Sequence, residues 1–368
     1  MTDVRGGDVL VVGAGVIGSA IAFRLAQRGA RVVIVDRGEP GAAATANGFA
    51  GVTAALEEPV SIWGGIFAET RALAVDAGGD WLHLDGTLEW VLPADEAAQR
   101  SGVAHMRVSG VRVQECTPQE VAREIEPELH IDPSVPTVYF MPEQGWADGA
   151  LMARSLVRAA ERHSARFIRA AVVAFDRDGD RVIAARLGDG TALRADVVVN
   201  AAGPWADQIA SLAGGHVSVE RRPGAAVVTP PIGSRLRVAA YAPDVFVRPD
   251  GGGRVFVQRE RFDAQLKEDS APGFDHPLAK GAIEEAAAFV PRLQGAHVDA
   301  VRFGVRPIPK DGDPIIGPDP RVAGLYHAVM HSGIRRAAVA ARAIARELCG
   351  DDVPELRPYR EERFVEVS

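Results

Sequence analysis

Gly13, Gly15 and Gly18 follow an apolar run at residues 8–12, and Asp36 closes a second apolar run at 32–35. Each position in this G-x-G-x-x-G spacing has a physical task. The first glycine permits a tight turn, the second lets main chain approach a pyrophosphate, and the third lets a helix pack on a strand. Main-chain amides around Val16 and Ile17, at the start of that helix, can bind phosphate oxygens. Asp36 lies 21 residues after Gly15. A carboxylate there can accept both ribose hydroxyls of an adenosine, and it disfavours a 2′-phosphate. Glycine-rich turns are common, so the triplet alone says little. Strand, helix, strand and terminal acid together point to a dinucleotide site.

The stretch "VMHSGIRRAAVA" raises a second chemical question. A short apolar strand runs into His331-Ser332-Gly333, and an alanine-rich helix begins with Arg335 and Arg336 in its first turn. A helix start is the positive end of the peptide dipole, so cations there need either solvent or a nearby negative charge. Helical phase puts Arg335 close to Arg342 and Arg346, whereas Ile334, Ala338, Ala341, Ala345 and Leu348 form a core stripe. Arg335 is therefore expected to face solvent. Arg336 shares its face with Ala340 and Ala343, where small residues leave room to reach a ligand. His327 and His331, four apart, could hold zinc on a helix. "LYHAVM" reads as strand, however, and no metal site is expected.

Other segments must position these groups. After Asp36-Arg37 comes "GEPGAAATANGFAGV", where small residues let main chain lie along a large ligand. Ala44, Thr45, Asn47 and Gly48 are the candidate contacts; a flexible surface loop is the competing reading. Residues 196–200 form another buried strand ending in Ala-Ala-Gly-Pro-Trp, so Ala202, Gly203 and Trp205 would meet a second part of the cofactor. Just upstream, 167–175 and 181–187 read as paired strands around "RDGD", bringing Val172 nearby. An NAD-dependent dehydrogenase would leave the second turn and the C-terminal segment idle.

Bulk properties narrow the class. The chain has 368 residues, 47% of them hydrophobic, too many for one ordinary core, so two domains or a discontinuous pair are expected. A net charge of −8 argues against a nucleic-acid surface. No apolar run approaches the ~18 residues of a membrane span, and the first strand begins too early for a signal peptide, so a cytoplasmic location is expected. Cys116 and Cys349 lie far apart without metal or redox spacing and read as free thiols.

Four pieces, "VVGAGVIGSAIAFRLAQRGARVVIVDR", "VVVNAAGPWA", "GVRPIPKDGDPIIG" and "HSGIRRAAVAARAIAREL", occur in the order and spacing of one family. Together they span nearly the whole length, and "FMPEQGWADGALMARSLVRAA" adds a weaker match. On them the chain resembles the D-amino-acid oxidase/glycine oxidase family of FAD-dependent oxidoreductases. The resemblance implies an α/β, Rossmann-like, GR2-type FAD domain made of residues 1–80, 145–215 and 305–368. Residues 81–144 and 216–304 would form an antiparallel-sheet α+β substrate domain roofing the flavin ring. Hydride would pass from a carbon next to an amine nitrogen to flavin N5, giving an imine.

The resemblance assigns Arg306, in "GVRPIP", to the substrate carboxylate, which a planar guanidinium can hold bidentately. A structural carboxylate or a cofactor carbonyl is the alternative partner. Arg248 in "FVRPD" is a second candidate, with a solvated strand-end charge as the competing reading. The amides of Ser332, Gly333 and Ile334 would face the pyrimidine end of the flavin, His331 would touch it, and Arg336 would reach reduced flavin or the substrate carboxylate.

Departures from the family pattern also inform. No cysteine or histidine stands where relatives attach flavin, so noncovalent FAD is expected. The roof strand "GRVFVQ" has Phe256 nearest the place of an oxygen-activating lysine, leaving O2 or another acceptor open. The flavin loop reads Ala42-Ala43-Ala44-Thr45, with fewer hydroxyls than is usual. Three functions stay open: oxidation of a small amine, amino or imino acid; oxidation of a 2-hydroxy acid; and a flavin subunit passing electrons to a partner. A homo-oligomer is compatible with each.

Overall fold

The computed structural model describes residues 3–54, 62–270 and 272–364. The apolar run Asp8–Val12 is the central strand of a mostly parallel sheet. Among the described residues its spatial order is Ile315–Pro318, Leu325–Val329, Val197–Asn200, Asp8–Val12, Arg31–Asp36, Arg166–Arg169. Neighbours run parallel except at the Ile315–Pro318 edge. Central strands are apolar throughout because both faces are covered. Helices Val16–Gln27, Gly149–Arg162 and Gly333–Leu348 pack on one face. On the other lie Val182, Ala185 and Leu187, from a small sheet of Val172–Asp178, Arg181–Leu187 and Ala192–Arg194. Residues 167–175, expected as one strand, divide: Arg166–Arg169 joins the parallel sheet, and only Val172–Asp178 pairs across the "RDGD" turn.

A second sheet lies across the first. Its order is Ala300–Pro309, Val219–Val228, Val255–Arg259, Val245–Pro249, Ala239–Tyr241, Thr87–Glu89, Val138–Met141, Gln114–Cys116. Expected to be antiparallel, it includes one parallel pair, Ala239–Tyr241 with Thr87–Glu89. Its outer face is buried by Phe262, Ile283, Val290 and Leu293 around helix Pro277–Ala286. The Ala300–Pro309 strand pairs with Val219–Val228 along its whole length and runs unbroken through residues 304 and 305, where the sequence suggested a boundary.

The parallel strands Asp8–Val12, Arg31–Asp36, Val197–Asn200 and Leu325–Val329 end at one edge. Ligands of open α/β sheets bind in the crevice outside such carboxyl ends. Gly13, Asp36, Ala202 and His331 all stand at this edge, and the second sheet closes the crevice from above.

Candidate active site

The crevice is a cavity of about 760 Å³, running from Asp36 and Arg37 at one end to Tyr241, Gln258 and Arg306 at the other. At the first end Gly13 adopts φ +110°, and a Cβ there would lie 2.3 Å from the Ala201 carbonyl oxygen. A Cβ on Gly18 would lie 1.9 Å from the Gly13 carbonyl oxygen, so helix Val16–Gln27 can meet the turn only with glycine there. Gly15 differs: its Cβ would meet nothing nearer than the Thr45 hydroxyl oxygen at 3.4 Å, on the cavity side.

Asp36 accepts hydrogen bonds from the Ala14 amide at 2.7 Å and the Gly38 amide at 2.8 Å. Each carboxylate oxygen keeps a lone pair for a ribose hydroxyl. The Arg37 guanidinium lies 4.2 Å from the centre of the Trp205 ring, forming one wall of this end. The small-residue segment is not a free loop. Thr45 accepts from the Val16 amide at 3.1 Å, and the short helix Ala44–Asn47 fits beneath Gly304. Gly48, Val172, Ala202 and Gly203 also line the cavity.

Beside the start of helix Val16–Gln27, Ser332 holds the left-handed conformation (φ 55°, ψ 35°), a strained state for a non-glycine residue, and turns the chain into helix Gly333–Leu348. A Cβ on Gly333 would lie 3.4 Å from side-chain atoms of both Val16 and Ile17, so the two helix starts converge on the cavity. Neither helix has an acidic first turn or a side-chain cap from its own N-cap residue. Two positive helix ends without an acidic residue, opening on one cavity, suit a ligand with two electron-rich regions. Burial, followed by the nearby cations Arg306, Arg336, Arg335 and Arg222, pushes the His331 imidazole down to about 4. It is neutral at pH 7, with Nδ1 3.2 Å from the Ser332 hydroxyl.

The second sheet supplies the remaining polar groups. Arg306 donates from Nη2 to the Pro223 carbonyl at 2.7 Å and pairs with Asp263 at 2.9 Å. Its Nε reaches the Arg222 carbonyl at 3.4 Å. Among the described residues Nη1 has no protein acceptor, so Arg306 carries a structural carboxylate and has one N–H edge uncommitted at the cavity. Burial pushes Asp263 up, against the opposing effects of the Ala225 amide and Arg306. Burial also pushes the Tyr241 hydroxyl up, so it keeps its proton.

Three expectations are corrected. Arg248 neither lines the cavity nor faces water. It is 4% exposed, donates to the Phe49 and Pro249 carbonyls and to Asp250, and stacks between Trp146 and Phe256. Arg336 is 7% exposed, lies 5.1 Å from the Trp63 ring centre and does not line the cavity, whereas Arg335 does. Phase arithmetic reversed the two because it treats the side opposite the core stripe as solvent. Here that helix is covered on two sides, by Val16–Gln27 and by Trp63 with helix Ile66–Ala77. Phe256 packs in the cluster under Arg248, and Gln258, two residues on along the same strand face, is the residue lining the cavity.

Gln258, Asp263 and Tyr241 line the cavity although the sequence reading gave them no role, and Arg335 lines it although solvent was expected. Strand alternation carries a signal for Gln258 only. His327, dismissed as a metal ligand, is fully buried, with Nε2 2.9 Å from Asp319. Cys116 and Cys349 do not line the cavity.

A glycine-turn parallel sheet roofed by a second sheet over one long cavity is the architecture of a dinucleotide-binding protein. Residues 8–347 match the family model of FAD dependent oxidoreductases, DAO, and the chain belongs to that family. Its cofactor is FAD, and the glycine cradle, Asp36 and the two helix starts fit it. The chain is 29% identical to glycine oxidase of Geobacillus kaustophilus over 351 residues, 88% of this chain and 87% of that one. It is 24% identical to hydrogen cyanide synthase subunit HcnC of Pseudomonas aeruginosa over 416 residues, covering 97% and 96%. The crystal structure of glycine oxidase from Geobacillus kaustophilus superposes with a TM-score of 0.83 at 23% identity, over 97% of this chain and 99% of that one. That likeness concerns the fold. Among the described residues no helix is long and apolar enough to cross a membrane.

Proposed function

We propose that the chain oxidises a small amine, amino or imino acid, of the glycine, D-amino acid or sarcosine kind, at the carbon next to nitrogen. The observation carrying this reading is Arg306, which lines the cavity at the end opposite Asp36 and keeps Nη1 uncommitted among the described residues. A carboxylate held there would put the adjacent carbon between the second sheet and the Gly333 helix start. Bound flavin supplies the hydride acceptor. The protein's own part is positioning and electrostatics. Helix-start amides at Ser332, Gly333 and Ile334 would offset negative charge on the cofactor, and neutral His331 avoids adding a further cation. Tyr241 offers a hydroxyl donor, and the Phe49–Tyr241–Phe246 cluster limits water. The imine product would hydrolyse or pass to a partner. FAD would be held noncovalently, and the enzyme would work in the cytoplasm with O2 or another acceptor.

Anaerobic mixing of holoenzyme with glycine, sarcosine, D-amino acids and proline analogues tests this. Loss of oxidised-flavin absorbance with one of them is expected. Bleaching by 2-hydroxy acids in place of every amine would overturn it. The similarity to HcnC, named as a subunit, supports a second reading in which a partner chain takes the electrons. Co-purification of a second polypeptide that restores turnover would favour it.

A further inference from the structure

The carboxylate-binding arginine of a simple anion site would have its fork open. Here one arm of it, Nη2, is taken by Asp263. Nη2 of Arg306 is shared between Asp263 Oδ2 at 2.9 Å and the Pro223 carbonyl at 2.7 Å, and Nε turns to the Arg222 carbonyl. The pair is built in. Asp263 sits at the end of the short helix Glu260–Asp263 and is fixed by the Ala225 amide at 2.8 Å, with Gln258 Nε2 at 3.5 Å. Gly224 leaves room for it, since a Cβ there would come within 3.2 Å of both Arg306 and Asp263 atoms. Gly224, Ala225, Gln258, Asp263 and Arg306 all line the cavity. The Asp263 side chain is 10% exposed and Arg306 29% exposed, so solvent screens the pair only in part.

An incoming ligand therefore meets a positive and a negative group side by side. Only the Nη1 edge is left for a carboxylate, and the Asp263 carboxylate, with Oδ2 on Nη2 and Oδ1 on the Ala225 amide, keeps a lone pair on Oδ1. From this we propose that Asp263 determines specificity: with Arg306 it selects substrates bearing one carboxylate and an adjacent N–H-bearing nitrogen, and it rejects a second carboxylate. The proposal rests on the reading of Arg306 as the carboxylate-binding group. A zwitterionic head sets its own dipole against the Arg306–Asp263 dipole, whereas a dicarboxylate brings a second anion against Asp263. Like-charge contact in a half-buried site is the stronger discriminator.

Three ligands with a quaternary α-carbon isolate the effect, because none carries an α-hydrogen to be removed: 2-aminoisobutyrate, pivalate and dimethylmalonate. They differ in a single group: ammonium, methyl or carboxylate. Dissociation constants come from perturbation of the flavin spectrum of holoenzyme. The wild type is expected to bind 2-aminoisobutyrate best and dimethylmalonate worst. Asp263→Asn keeps the acceptor for the Ala225 amide, and it should tighten dimethylmalonate about tenfold while weakening 2-aminoisobutyrate several-fold. Gln258→Glu, which adds charge beside the pair, should move dimethylmalonate the other way. If Asp263 merely anchored Arg306, Asp263→Asn would weaken all three ligands, and that result overturns the proposal. Arg306→Lys separates the two levels. If it leaves all three affinities unchanged, the carboxylate reading itself fails. If it weakens them while Asp263→Asn leaves their order intact, only the role of Asp263 fails.

Discussion

Gly15 and Gly18 belong to the same motif but should fail in different ways when a methyl group is added. At Gly18 the new Cβ would lie 1.9 Å from a carbonyl oxygen of the Gly13 turn, against a floor of about 3.0 Å for real contacts. Helix and turn must separate by roughly an ångström, and both are main chain locked into the sheet. Overpacking of this kind costs about 1–3 kcal/mol, partly offset by the ~1 kcal/mol helix preference of alanine over glycine. At Gly15 the backbone is extended (φ −67°, ψ 176°), which alanine tolerates, and the methyl points toward the Thr45 hydroxyl and the cavity. Folding should be untouched, but the methyl occupies space where main chain must approach a pyrophosphate. The assay is thermal unfolding across a range of added FAD, extrapolated to none, together with flavin content after purification. A ligand that binds only the folded state raises Tm with its concentration. Gly15→Ala should match the wild type without FAD and lose most of the FAD-dependent rise. Gly18→Ala should unfold a few degrees lower even without FAD. Full flavin content in Gly15→Ala, or wild-type stability of FAD-free Gly18→Ala, would refute the assignment of roles.

Further outcomes follow from the other end of the cavity. Arg306→Lys removes the planar fork, and loss of a charge-assisted hydrogen bond of about 1.5–3 kcal/mol should lower kcat/KM for carboxylate substrates roughly 10- to 100-fold. Steady-state kinetics on an amino acid and its decarboxylated amine check this, the amine being little affected. Arg335→Leu should change KM and the flavin spectrum, because Arg335 lines the cavity. Arg336→Leu, beside Trp63, should instead appear as a lower Tm. His331 is neutral in the fold until about pH 4, whereas unfolded histidine protonates near 6.5. The unfolded state thus takes up a proton first on acidification. The His331 contribution is constant above about pH 6.5, and stability falls as pH drops from there toward 4. Urea unfolding of His331→Gln should show a shallower acid loss over that window than the wild type.

Local grammar made much of the fold and cofactor end legible. A strand of continuous apolar residues, three glycines at fixed spacing and an acid closing the next strand are constraints within some 30 neighbouring residues, and the observed Asp8–Val12, Val16–Gln27 and Arg31–Asp36 follow them. The core stripe of the last helix was equally legible: Ala338, Ala341, Ala345 and Leu348 are all buried. The substrate end was not. Arg335 and Arg336 exchange roles because a helix wedged between two neighbours has little solvent side, and sequence phase shows only one contact face. Arg248 looks like a strand-end charge until Phe49, Trp146 and Phe256 close over it. Asp263 meets Arg306 only because Val219–Val228 and Ala300–Pro309 pair in one register and a short helix folds back onto them. The chain's own residues determined the glycine turn and its closing acid, because those parts are neighbours in sequence. Which charges face the cavity was decided by contacts between segments far apart along the chain, and no local pattern encodes those.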